Sequence, residues 1–98
     1  MMTFQQFNKK YKKFIPEGWY GLEFDIPEVT EYLDFIIEGL LCDIPGFEIH
    51  QIKLKFGYCR FYAEVDVEYN ESLWRFICSR IEQRVNLILK ELKENDKE

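Results

Sequence analysis

An alternating run of side chains in the second half of the chain most constrains the fold. Apolar residues occupy every second position on both sides of a Gly57-Tyr58 dipeptide. A glycine in the first of two loop positions fits a type II′ turn. The alternation and the turn together predict a β-hairpin with strands over residues 48–56 and 59–68.

The position of the turn determines which residues of the hairpin face each other. A Gly57-Tyr58 turn directs the apolar residues of both strands to one face. The expected pairs are Phe56 with Cys59, Leu54 with Phe61, and Ile52 with Ala63. The apolar phase slips between Ile49 and Ile52, which predicts a β-bulge near His50 or Gln51.

Three other segments have the spacing of amphipathic helices. Residues 3–15, 28–42 and 71–94 place apolar side chains at intervals of three and four. In the first of them, aromatic residues lie on one face and lysines on the other, and we expect this face to pack on the domain. The helix start signals are Thr3 with Gln6 at capping-box spacing, Pro27, and Asn70 as an N-cap.

An α+β domain is the simplest fold that joins these elements. A two-stranded hairpin is marginal in water by itself, so we expect a third strand over residues 20–26. The predicted architecture is a small antiparallel sheet packed on one face against helices 28–42 and 71–94, with an N-terminal helix over 3–15. The 98 residues, 47% of them hydrophobic, predict a single domain over 1–98. A small sheet leaves an edge strand, through which a homodimer can form.

Charge and cysteine content restrict the partners and the compartment. The net charge of −5 disfavours general nucleic-acid binding, because an acidic surface repels phosphate. Residues 16–50 contain nine acids and no lysine or arginine, so the middle of the chain is more acidic than the total. No apolar run approaches the roughly 18–20 residues that span a bilayer, and no membrane partner is expected. Three widely spaced cysteines indicate reduced thiols in a cytoplasm.

The sequence contains no motif of catalytic or metal-binding chemistry. His50 is the single histidine, and Cys42, Cys59 and Cys78 stand far apart. No metal-ligand spacing and no glycine-rich phosphate loop occur. We therefore predict a protein that is not an enzyme and takes no cofactor or metal. A small enzyme that uses His50 with a carboxylate is a weaker alternative.

Two groups of residues on the hairpin are candidate partner-binding sites. Aromatic and basic residues together are favoured at protein interfaces and on nucleic-acid platforms. Acidic residues that project every second position, about 6.6 Å apart, can imitate a nucleic-acid backbone. The first group is Lys53, Lys55, Tyr58, Arg60 and Tyr62, and the second is Glu64, Asp66 and Glu68.

Two segments resemble a group of small phage and prophage proteins. Gly18–Leu22 is similar to their G-W-x-x-L pattern, and Gln51–Tyr62 is similar to Q-V/I-K-x-K-F-G-x-L-R-F-Y. The resemblance implies a phage-type accessory protein of the bacterial cytoplasm. Many of these proteins end in a C-x-x-C segment, which this chain lacks. The resemblance therefore implies no metal site.

Two functions are consistent with these observations. The leading hypothesis is a non-enzymatic accessory protein that binds and inhibits a host protein, such as a nucleic-acid-processing or defence complex. It would act in the manner of an anti-CRISPR protein, through an acidic surface that mimics nucleic acid. The alternative is a nucleic-acid or nucleoprotein binding module that uses the basic and aromatic face of the hairpin.

Overall fold

A computed structural model describes residues 1–96, and in it one three-stranded sheet packs with three α-helices. The predicted α+β fold with an N-terminal helix is confirmed. The first and second helices each continue into a short turn of a different helical type. The elements are α1 Phe4–Lys10 with a 3₁₀ turn Lys12–Phe14, β1 Gly21–Leu22, α2 Pro27–Ile36 with a π-helical turn Ile37–Leu41, β2 Glu48–Lys55, β3 Tyr58–Glu64 and α3 Glu71–Asp96.

The sheet is mixed, whereas the sequence predicted an antiparallel one. β2 lies in the centre, antiparallel to β3 and parallel to β1. β1 is also shorter than the predicted strand over 20–26, with Gly21 opposite Gln51 and Leu22 opposite Ile52. The parallel direction arises because α2 connects β1 to β2, and a helical crossover returns the chain to the end of the sheet from which it left.

The hairpin turn lies one residue earlier than predicted. Phe56 and Gly57 occupy it, with φ of 54° and 80°, and two positive φ values are the pattern of a type I′ turn. Residues 58–62 of β3 therefore pair two positions further back along β2 than expected, and Ala63 and Glu64 pair three positions back because of the bulge. A shift of two keeps each side chain on its predicted face. The observed inward pairs are Leu54 with Cys59, Ile52 with Phe61, and Ile49 with Ala63.

The predicted bulge and helix starts are confirmed. The pairing register shifts between Ile49 and Gln51, and this turns both Ile49 and Ile52 into the core. Thr3 and Gln6 form the capping box, Pro27 begins α2, and the side chain of Asn70 accepts a hydrogen bond from the Leu73 N–H.

One hydrophobic core joins the sheet to all three helices. Phe7 and Tyr11 bring the aromatic face of the N-terminal segment into it, as the sequence predicted. On α3, Trp74 is buried and the neighbouring Leu73 is exposed. Trp74 packs edge-on against Phe47 at 6.1 Å between ring centroids. No helix within residues 1–96 is both long and apolar enough to cross a bilayer.

A side chain of α1 forms hydrogen bonds with the outer edge of β1. Asn8 of α1 donates from Nδ2 to the carbonyl oxygen of Leu22 at 2.9 Å, and its Oδ1 accepts from the Leu22 N–H at 2.8 Å. The Asn8 amide thus takes the place of the N–H and C=O groups that a neighbouring strand would offer to Leu22. Gly21 beside it has φ of 67°, and a Cβ there would lie 2.4 Å from Asn8 Oδ1. Only glycine fits this close approach.

The outer edge of β3 is bonded in the same way by α3. The Cys59 N–H donates to Asn86 Oδ1 at 2.7 Å, and the Phe61 N–H donates to Glu82 at 2.8 Å. Trp74 Nε1 donates to the Ala63 carbonyl at 3.4 Å. These side chains occupy backbone groups through which an edge-to-edge homodimer could otherwise form.

A polar cluster fastens α1 to α2. Lys10 Nζ lies 2.8 Å from an Asp34 oxygen and 2.6 Å from a Glu38 oxygen, and the buried Tyr11 hydroxyl also donates to the Asp34 carboxylate. Burial raises the pKa of Asp34, but the hydrogen bonds from Lys10 and Tyr11 outweigh it and hold the pKa below its usual value.

Asn8→Ala should lower the free energy of unfolding by about 1–3 kcal/mol, because it leaves the Leu22 N–H and C=O without partners. Urea denaturation of both chains measures the difference. Lys9→Ala, at the neighbouring exposed position of α1, is the matched control and should change stability by about 0.5 kcal/mol or less. Equal stability of the two variants would contradict the edge-closing role of Asn8.

Asp34→Asn should destabilise the protein by about 1–3 kcal/mol at pH 7, because it removes the charge that Lys10 and Tyr11 bond. The folded pKa of Asp34 is lowered, so its stabilising effect is complete above the unfolded value of about 3.9 and is lost as pH falls through the folded pKa. The stability difference between the two chains should therefore shrink at low pH. Thermal unfolding followed across pH 2–7 tests this expectation, which a pH-independent difference would contradict.

Candidate binding face

The hairpin brings the five basic and aromatic residues of the predicted site together. Lys53 pairs with Arg60 and Lys55 pairs with Tyr58, and partners that lie opposite each other project to the same side of a sheet. Tyr62 follows on that side, and Lys53 Nζ lies 5.9 Å from the centroid of its ring. We call these five residues the basic-aromatic face.

The charges of this face are available to a ligand. Tyr58 and Tyr62 are 60% and 45% exposed, and Lys55 is exposed as well. Lys53 and Arg60 are half-buried, as expected where long side chains rest their stems on a sheet. Among residues 1–96, none of the three cations of the face forms an ion pair.

Phe56 extends the face at the tip of the hairpin and was not among the candidate residues from the sequence. The sequence interpretation placed it in the apolar row facing the core, but its side chain is 89% exposed. Its φ of 54° is in the left-handed region, which costs an ordinary L-residue about 1–2 kcal/mol. Backbone strain of this kind concentrates at functional positions. The signal in the sequence was Gly57, since glycine also favours the second position of a type I′ turn.

A groove separates the hairpin tip from the C-terminal half of α3. Its volume is about 550 Å³. Phe56 and Tyr58 line one side, and Leu87, Lys90 and Lys93 line the other. Neither lysine forms an ion pair within residues 1–96. The groove thus adds two cations to the end of the basic-aromatic face.

The acidic group does not have the geometry that the sequence predicted. β3 ends at Glu64, four residues before the expected end, so Asp66 and Glu68 do not project from a strand. The Asp66 N–H donates to the Pro45 carbonyl at 2.8 Å, and its carboxylate accepts from the Glu68 N–H at 2.9 Å. Asp66 therefore begins a turn, because its side chain offers the backbone a partner that a strand would not.

His50 lies at the bulge, among neighbours that the sequence did not indicate. Its ring stacks on Trp19 with 4.3 Å between ring centroids and 4° between the planes. Its Nε2 is 3.3 Å from a Glu48 oxygen. Trp19 thus contributes to the contact between β1 and β2, where the Tyr20 N–H donates to the His50 carbonyl. The stack gives His50 a structural role in positioning β1.

Cys59 on β3 and Cys78 on α3 are poor nucleophiles. Burial raises the pKa of the Cys59 thiol to about 12, and that of the Cys78 thiol to about 12 as well, with Glu82 adding to both shifts. The thiolate is the reactive form, so both side chains stay neutral and unreactive near pH 7. Within residues 1–96, no three His, Cys, Asp or Glu side chains are grouped so that they could hold a metal ion.

Comparison with known protein families, with curated proteins and with solved structures finds no match. The chemistry of the basic-aromatic face is therefore the main guide to what this chain binds.

Phe56→Asn should raise the free energy of unfolding by about 1 kcal/mol, because asparagine adopts the left-handed region more readily and Asn-Gly is the preferred type I′ pair. Differential scanning calorimetry detects the change as a higher Tm. Phe56→Ala removes the same ring without this backbone preference and is the matched control. The strain explanation would be wrong if both variants had the Tm of the parent chain.

Proposed function

We propose that this chain is a non-enzymatic accessory protein that binds single-stranded nucleic acid through the basic-aromatic face. The observation that supports this most directly is the grouping of cations and exposed aromatic rings on one surface of an acidic protein. Arg60 lies between Tyr58 and Tyr62 on β3, and Lys53 and Lys55 lie opposite Arg60 and Tyr58 on β2. None of the three cations has an ion-pair partner within residues 1–96. Nucleic-acid platforms for single strands combine these two side-chain types, since rings stack on bases and cations follow the phosphates.

The dimensions of the face suit a short segment of an unpaired strand. Exposed rings occupy three places along it, at Tyr62, Tyr58 and Phe56. The groove beyond Phe56 continues the surface toward Lys90 and Lys93. A strand laid along this path would place bases against the rings and phosphates near the amines. Sequence preference would be weak, because stacking accepts every base.

The acidic composition does not oppose this binding at short range. Charge interactions at a protein surface are screened over about 8 Å at physiological ionic strength. Acids that lie further than this from the face therefore oppose binding only weakly. Affinity should be strongly salt-dependent, because each neutralised phosphate of a single strand contributes a slope of about −0.7 to the plot of log K against log salt.

Inhibition of a host protein is the second candidate, and the hairpin tip is the observation that favours it. Phe56 and Tyr58 are large, exposed and next to cations, which is also the composition of protein-binding hot spots. In this version the face would bind an acidic protein surface. The phage-like resemblance of Gln51–Tyr62 favours a target in the bacterial cytoplasm.

Lys53→Glu/Lys55→Glu should weaken binding to a fluorescein-labelled oligothymidine by about tenfold or more at low salt, because two phosphate contacts become repulsive. Fluorescence anisotropy of the full chain gives the Kd. Lys9→Glu/Lys12→Glu makes the same change in net charge at exposed positions of the N-terminal segment and is the matched control. Equal losses in both double variants would show that only net charge matters.

The parent chain itself distinguishes the two candidates. Absence of any anisotropy change at low salt would overturn nucleic-acid binding. A tagged-protein pull-down from bacterial lysate, with and without nuclease, then tests the second candidate. A stoichiometric partner that survives nuclease and is lost in Tyr58→Ala would support inhibition of a host protein.

A further inference from the structure

A second exposed surface lies between α2 and α3 and shares no residue with the basic-aromatic face. It is a groove of about 360 Å³. Most of its lining is apolar and comes from both helices and the loops that follow α2 and precede α3. The principal lining residues are Tyr32, Ile36, Leu40, Ile44, Tyr69 and Phe76.

The rim of this groove exposes large apolar side chains to water. Leu40 on one side and Phe76 on the other are each 62% exposed. Phe35 is three residues from Tyr32 and Leu73 is three residues before Phe76, so each continues the same helix flank. Isolated apolar residues on a surface are ordinary, but a contiguous group of this kind marks an interaction site.

The two rims of the groove carry opposite charges at the same level. Glu28 lies one turn before Tyr32 on α2. The positive charges of Arg80 and Arg84 on α3 act on Tyr32, where they partly offset the rise in its pKa that burial causes. The apolar pair Leu40 and Phe76 lies toward the other end of the groove. The helices therefore run antiparallel, with the charged residues of both rims at one end and the apolar ones at the other.

We propose that this groove is the interface of a two-fold symmetric dimer of the chain. A two-fold axis along the groove places α2 of each copy over α3 of the other, at the same level. Glu28 then faces Arg84 of the second copy, and Leu40 faces Phe76 of the second copy. Each contact occurs twice, as an isologous interface requires.

Charge complementarity and the closed sheet edges select a second copy as the occupant. Glu28, Arg80 and Arg84 form no ion pair within residues 1–96, so the charges of the two rims are available to the opposite charges of a second copy. Side chains of α1 and α3 bond both outer strands, so pairing through the sheet is blocked. The groove is the large apolar surface that remains for self-association.

Sedimentation equilibrium of the full chain tests the dimer. The expected mass is twice the 12.0 kDa of one chain. Phe76→Glu should weaken association by about thirtyfold or more, because it places a charge in the centre of the apolar contact. Tyr58→Glu, at a similarly exposed aromatic residue outside the groove, is the matched control and should remain dimeric. Circular dichroism should show an unchanged fold for both variants, since both side chains are mostly exposed.

A charge exchange tests the arrangement of the two copies. Glu28→Arg and Arg84→Glu should each weaken the dimer, because each places like charges opposite each other. The double variant Glu28→Arg/Arg84→Glu should restore most of the affinity, because it exchanges the charges of the two rims. A monomeric parent chain at about 100 μM would overturn the proposal, since specific dimers associate well below that concentration. Equal association constants for Phe76→Glu and Tyr58→Glu would overturn it as well.

Discussion

The closure of both sheet edges by helix side chains is the constraint on which this structure depends. A sheet of three strands has only one strand with two neighbours, so β1 and β3 each present unpaired backbone groups. Asn8 satisfies Leu22 on one edge, and Asn86 with Glu82 satisfies Cys59 and Phe61 on the other. An unmade hydrogen bond to a buried group costs about 1–3 kcal/mol, so these contacts set where α1 and α3 lie. The outward face of the sheet is thereby left free.

Edge closure also explains why the hairpin accepts a strained turn. In a two-residue hairpin the pair that flanks the turn exchanges both hydrogen bonds. With the turn at Gly57-Tyr58, Cys59 would bond to Phe56 and its N–H would be unavailable to α3. With the turn at Phe56-Gly57, the N–H groups of Cys59 and Phe61 point outward to Asn86 and Glu82. The left-handed conformation of Phe56 costs about 1–2 kcal/mol. The hydrogen bonds to the Asn86 amide and to the Glu82 carboxylate offset this cost.

The same shift places Phe56 in solvent at the end of the basic-aromatic face. A phenylalanine forced out of the sheet at the hairpin tip meets solvent beside Tyr58 and the lysines of α3. The basic-aromatic face thus gains a ring and a groove. Glu28, Glu31 and Asp34 lie on α2 and Asp66 lies in a turn, so these acids are not part of the face, whereas Glu48 and Glu64 pair beside it. An acidic chain can in this way present a local cationic surface.

The sequence by itself determined the features that depend on neighbours a few residues apart. The capping box of Thr3 and Gln6, Pro27 at the start of α2, and the bulge after Ile49 follow from local backbone chemistry and from the alternation that a sheet requires. These features fix the α+β class and the membership of the basic-aromatic face, because a register shift of two preserves the faces. Tertiary structure alone decided the turn position, the contact of α1 with the edge of β1 and the early end of β3. Each depends on partners far apart in the chain: Cys59 with Asn86, Leu22 with Asn8, and Asp66 with Pro45. The local pattern is compatible with more than one arrangement at each place, and hydrogen bonds between distant residues select one.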